Sequence, residues 1–90
     1  MKKFNEITLE LLMHKYRYYE LNYSSISDYE YDMLEHRWTK LGNNLGIDME
    51  NYQNWVDFPT EHPLADYAKR MVNGEKIDNL DEILDTSVPF

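Results

Sequence analysis

Five side chains between positions 18 and 32 of this 90-residue chain have the types and spacing to hold a ligand: Tyr18, Tyr19, Asp28, Tyr31 and Asp32. They lie in HKYRYYELNYSSISDYEYDML, residues 14–34, which carries six of the chain's eight tyrosines. A buried phenol needs a hydrogen-bond partner, so this density raises the question of whether the rings pack helices or face a ligand. On a helix, Asp28, Tyr31 and Asp32 fall at i, i+3 and i+4 and share one face. Tyr18 and Tyr19 precede them by a loop. In an antiparallel helical hairpin the end of one helix meets the start of the next, so all five can converge. Aromatic faces beside two carboxylates suit a flat cationic ring, through stacking, cation–π attraction and charge-assisted hydrogen bonds. Each residue also has a purely structural use. Tyr31 can begin a core stripe, Asp28 and Asp32 complement a helix N-terminus, and Tyr18–Tyr19 can pack one helix on another.

The elements that must position them are legible in the pattern. Phe4, Ile7, Leu11, His14, Tyr18 and Leu21 recur at helical spacing, which predicts a helix over 4–22. A second stripe, Leu12, Tyr16 and Tyr19, widens its apolar arc, so the helix is expected to pack on more than one neighbour. NYSSIS breaks it, because serine and asparagine favour local side-chain bonds. Ser27 then opens a second helix over 28–41, with Ser27 and Glu30 spaced as a capping box. Tyr31, Leu34, Trp38 and Leu41 form its buried stripe, and Gly42 or Gly46 can end it.

The second half predicts shorter pieces. These are a helix around 49–56, a better one in LADYAKRMVNG opened by Thr60 and Pro63 and closed by Asn73-Gly74, and a last one in NLDEILD capped by Asn79. No segment alternates at period two. The expectation is an all-α single domain over 1–90: an antiparallel hairpin in 1–45 and short C-terminal helices in 46–90.

Composition narrows the function classes. The net charge of −8 argues against direct nucleic-acid binding, and the tail EKIDNLDEILDTSVPF holds five acids against one lysine. With no cysteine there is no disulfide framework and no thiolate metal site. No run is long and apolar enough for a membrane span, and MKKFNEITLELL lacks the features of a signal peptide. A cytoplasmic location and no membrane partner are expected. His14, His36 and His62 match no zinc spacing, Asp48, Glu50 and Asp57 lack the calcium-loop pattern, and Ser24, Ser25 and Ser27 sit in no nucleophile elbow. No metal is expected.

Tyr18-Tyr19 followed by Ile26-Ser27-Asp28-Tyr29-Glu30-Tyr31-Asp32-Met33-Leu34 resembles the N-terminal helical subdomain, Ia, of bacterial NAD-dependent DNA ligases. The resemblance covers roughly residues 6–42. It implies that Tyr18, Tyr19, Asp28, Tyr31 and Asp32 contact nicotinamide mononucleotide (NMN), alone or as part of NAD. In that family a nucleotidyltransferase domain with a Lys-x-Asp-Gly nucleophile follows. Here KIDN, at Lys76–Asn79, lacks the glycine, and the remaining residues cannot hold such a domain. His62-Pro63-Leu64 echoes a family segment but comes too late in the chain. The resemblance therefore implies a non-catalytic, detached subdomain, an NMN- or NAD-binding or ligase-accessory module. The alternative is a small acidic interaction module, such as a phage-type inhibitor or DNA mimic, acting on a ligase or another nucleic-acid enzyme.

Overall fold

The long N-terminal helix buries two faces and packs against each of the other described helices. The computed structural model describes residues 2–23, 26–50 and 64–85. Four helices are defined there: α1 (Lys2–Tyr19), α2 (Asp28–Asn44), α3 (Ala65–Val72) and α4 (Leu80–Leu84). The described residues contain no strand, so the chain is all-α as expected. Contacts between these helices all run through α1, which meets α2, α3 and α4 in turn.

On one face of α1, Phe4, Ile7 and Leu11 pack with Trp38 and Met49, joined by Tyr31, Leu34, Leu41 and Ile47. This is the stripe read from the sequence. Phe4 stacks on Trp38 with centroids 5.8 Å apart, and His14 meets Tyr31 edge-on at 6.5 Å. Early α1 thus pairs with late α2 and late α1 with early α2, which makes the hairpin antiparallel. On the other face, Leu9 and Leu12 pack with Leu64, Ala68 and Leu84, flanked by Met13, Tyr67 and Met71. The second face is therefore built on Leu9, Leu12 and Met13, whereas Leu12, Tyr16 and Tyr19 were expected.

Two buried polar residues fasten α1 to its neighbours. The Thr8 hydroxyl donates to the Phe4 carbonyl at 2.9 Å and accepts the Trp38 indole N–H at 2.8 Å. Asn5 donates through Nδ2 to the Leu84 carbonyl at 3.0 Å, satisfying an acceptor that the end of α4 leaves open. Neither contact has a signature in the sequence pattern.

The caps explain the helix boundaries. Ser27 Oγ accepts the Glu30 N–H at 3.1 Å, and Glu30 Oε1 accepts the Ser27 N–H at 3.4 Å, so the expected capping box forms. Of the two glycines, Gly46 terminates α2. It adopts φ +78°, and the Ile47 and Gly46 amides return to the Gly42 and Asn43 carbonyls in a Schellman motif. Gly42 serves packing instead, since a β-carbon there would overlap the Met49 sulfur. Gly74 repeats the motif at the end of α3, where the Glu75 and Gly74 amides bond the Arg70 and Met71 carbonyls.

Other boundaries differ from expectation. α1 stops at Tyr19 because Asn22 turns into the left-handed region at φ 60° and the Tyr23 amide closes onto the Arg17 carbonyl. Leu21 is consequently exposed rather than part of the stripe. Asn79 precedes α4 but makes no side-chain cap bond. The helix expected around 49–56 is helical at 49–50 and otherwise lies outside the described residues, as do Thr60 and Pro63.

Candidate functional site

The capping box that starts α2 also shapes a hollow against the end of α1. Ile26 and Tyr31 occupy the two positions of a hydrophobic staple, one before the cap and one a turn inside. Both line the hollow, with Asp28 from the first turn of α2 and His14, Lys15, Tyr18 and Tyr19 from the last turns of α1. Its volume is about 130 Å³. That is close to the roughly 150 Å³ that accommodates a benzene ring.

Four of the five expected residues, Tyr18, Tyr19, Asp28 and Tyr31, therefore meet at one place. Asp32 is the exception: it is exposed on α2 and does not line the hollow. Tyr18 and Tyr19 are 58% and 61% exposed, and their rings stand perpendicular at 5.1 Å. They are thus poorly used as packing, which was their structural alternative. Tyr31 does both jobs, half-buried against the first core cluster and facing the hollow.

The hollow has contributors that were not read as site residues. Lys15 is one, with its ammonium 5.5 Å from the Tyr19 ring centroid and 5.2 Å from that of Tyr31. These are cation–π distances. The signal was present, because Lys15 precedes Tyr18 and Tyr19 by three and four residues and shares their helix face. His14 is another. Its Nδ1 lies 3.4 Å from Arg17 Nη1, and since a guanidinium can only donate, Nδ1 is the acceptor and the proton sits on Nε2. Burial first, and the Arg17 charge second, hold its pKa below the usual histidine value, against the opposing pull of Glu10 and Glu30.

Two further hollows flank the hairpin. Tyr18 and Tyr19 form a shared wall with a second, more open one completed by Asn22 and Tyr23. At the opposite end, Lys3, Arg37 and Lys40 surround a shallow hollow with Ile7, Leu41 and Asn44. Among the described residues no group of three histidine or acidic side chains could hold a metal ion, and no helix is long and apolar enough to cross a membrane.

Chemically, the first hollow offers π-faces, one carboxylate and one ammonium around a ring-sized space. That arrangement can bind and orient a flat ring. Compared with known proteins, the chain matches no family model, no curated protein and no solved structure, so the ligase resemblance rests on the residues quoted for it.

Proposed function

We propose that the protein is a non-catalytic binding module whose hairpin hollow takes the nicotinamide ring of NMN or NAD, as an accessory to a ligase-type enzyme. The observation that carries this reading is the convergence of Tyr18, Tyr19, Asp28 and Tyr31, from two helices, on one open space the size of a single ring. The exposure of Tyr18 and Tyr19 supports it, because rings recruited only for packing would be buried. The ammonium of Lys15 already lies at cation–π distance from two of the rings, so a cationic ring would share those faces with a like charge. A module of this kind binds and orients; in a larger enzyme that contributes through positioning rather than bond-making. Affinity is modest, since only a few contacts offset the cost of association.

The test is a titration of the full chain with NMN, followed by two-dimensional NMR. Shifts confined to Tyr18, Tyr19, Asp28, Tyr31 and their neighbours, saturating at micromolar to millimolar ligand, are expected. Absence of shifts at these residues at several millimolar NMN would overturn the reading. A parallel incubation with labelled NAD is expected to leave no covalent adenylate on Lys76 or any other lysine.

A second reading, an acidic interaction module for a basic surface on a nucleic-acid enzyme, is favoured by one feature. The start of α2 exposes Asp28, Glu30 and Asp32 together with Tyr29, which is 72% exposed, and Met33. Exposed aromatics with an acidic rim are suited to arginine-rich partners. Along α2 the charge is polarised, with Asp28, Glu30 and Asp32 exposed at its start and Arg37 and Lys40 toward its end, so a basic partner would meet the start of α2. Capture of a ligase that NMN does not displace, and that Tyr29→Ala abolishes, would select this reading over the first.

A further inference from the structure

The exposed face of α2 reverses its charge along its length. Glu30 and Asp32 are exposed near its start and Arg37 and Lys40 toward its end, with Met33 exposed between them. Tyr29, Met33, Arg37 and Lys40 follow one another at steps of four and three, so they form one stripe. Tyr31, Leu34, Trp38 and Leu41 occupy the other side of the helix, in the first core cluster. At the basic end, Lys3 of α1 joins Arg37 and Lys40 around the shallow hollow that Ile7 and Leu41 also line. Among the described residues none of these three cations forms an ion pair. The hollow therefore offers a seat to an acidic group from outside the chain.

A second copy of the chain supplies that group. A helix with unlike charge at its two ends is self-complementary about a two-fold axis across its middle. Two α2 helices laid antiparallel, with the axis near Met33, set Glu30 and Asp32 of each copy against Arg37 and Lys40 of the other. The two Met33 side chains then meet at the axis, and Tyr29 of one copy lies beside Lys40 of the other, a cation–π pairing. Parallel copies would set like charge against like, which selects the antiparallel arrangement. We propose that the protein forms a weak two-fold dimer through this face, the acidic start of each α2 sitting over the basic hollow of the other copy. The dimer does not depend on the ring site. The 17 residues of α2 span about 25 Å, so one helix pair covers well under the roughly 800 Å² per partner of a stable complex. Association is accordingly concentration-dependent, with a Kd of about 0.1–1 mM.

The experiment is sedimentation equilibrium of the full chain up to about 1 mM, with amide shifts followed by NMR over the same range. A monomer–dimer equilibrium is expected, with shifts at Tyr29, Met33, Arg37 and Lys40. Met33→Lys, which brings two ammonium groups together at the axis, is expected to weaken it at least about tenfold. Two charge reversals, Glu30→Lys with Asp32→Lys and Arg37→Glu with Lys40→Glu, should each abolish self-association. Mixed in equal amounts they should restore the dimer, because each reversed end then meets its opposite. General repulsion predicts otherwise: the first pair lowers the net charge of −8 in magnitude and would strengthen self-association. Circular dichroism checks each fold, and Asp32→Lys alone replaces the first pair if loss of the Glu30 cap bonds frays α2. A monomer at about 1 mM, species beyond the dimer, or a mixture that stays monomeric would overturn the proposal.

Discussion

Thr8→Val isolates the contact that sets the register of α1 against α2. Valine keeps the shape of threonine and removes only the hydroxyl. That hydroxyl is fully buried and accepts the indole N–H of Trp38, which is itself fully buried, at 2.8 Å. The second bond it makes, to the Phe4 carbonyl, matters little, because that carbonyl lies within a continuous helix and keeps its backbone role. The loss is thus dominated by a buried N–H deprived of this acceptor, about 1–3 kcal/mol. For a domain of this size, about 2 kcal/mol lowers Tm by roughly 8–16 °C. The variant should still fold, since a chain of this length is stable by roughly 5–13 kcal/mol.

The assay is urea and thermal unfolding followed by circular dichroism at the helical minimum, for the wild type, Thr8→Val, Trp38→Phe and the double variant. Trp38→Phe keeps a ring stacked near Phe4 and removes the N–H. Once the donor is gone, Thr8→Val should cost much less, leaving a coupling energy of about 1–2 kcal/mol. A Thr8→Val penalty below about 0.5 kcal/mol, or one undiminished in the Trp38→Phe background, would refute the reasoning.

Three further outcomes are expected. Ser27→Ala removes one half of the capping box and should cost on the order of 1 kcal/mol, read from the same unfolding curves, with the loss of ordered loop entry visible as a shift at Tyr31. Asp28→Asn should weaken NMN binding about twofold to fivefold, whereas Asp32→Asn, outside the hollow, should change it by less; a larger effect at Asp32 would place the ligand elsewhere on α2. For His14 the folded pKa lies below the unfolded value of about 6.5, so the unfolded chain takes up the proton more readily. The stability it contributes is present above that value and is lost as pH falls through the folded pKa. His14→Gln should flatten the stability profile over that acidic window, and a profile identical to wild type would show that His14 is not the group responsible.

The hairpin and its hollow were readable because each rests on local rules. A capping box, a helical stripe and a glycine beyond the helix end are patterns of a few neighbouring residues. The five candidate residues follow from helical spacing plus one loop, and four of them do converge. What escaped depends on distant partners. Asn5 and Thr8 are polar residues on a helix, and nothing nearby marks them as buried; their partners are 79 and 30 residues away. Asp32 shows the limit of a shared face: it sits beside Tyr31, but the hollow turns toward Asp28 and the loop. Leu21 fits the stripe by spacing alone, yet the left-handed turn at Asn22 takes the backbone off the helix before the pattern can be used.

The position of the hollow along α1 decides how binding and stability can be separated. Both core clusters take their buried α1 residues from Phe4 to Leu12, and Thr8 and Asn5 fasten the same stretch to α2 and α4. Tyr18, Tyr19 and Lys15 lie beyond it, on the last turn and a half, where α1 has already made its folding contacts. Changes at Tyr18 or Tyr19 therefore act on an exposed wall and should leave the core intact. Tyr31 differs, because its ring closes the first cluster from one side and the hollow from the other. It is the residue through which a ligand in the hollow would be felt in the core. Occupation of the hollow should consequently stabilise the hairpin, since only the folded chain brings Tyr31 opposite Lys15.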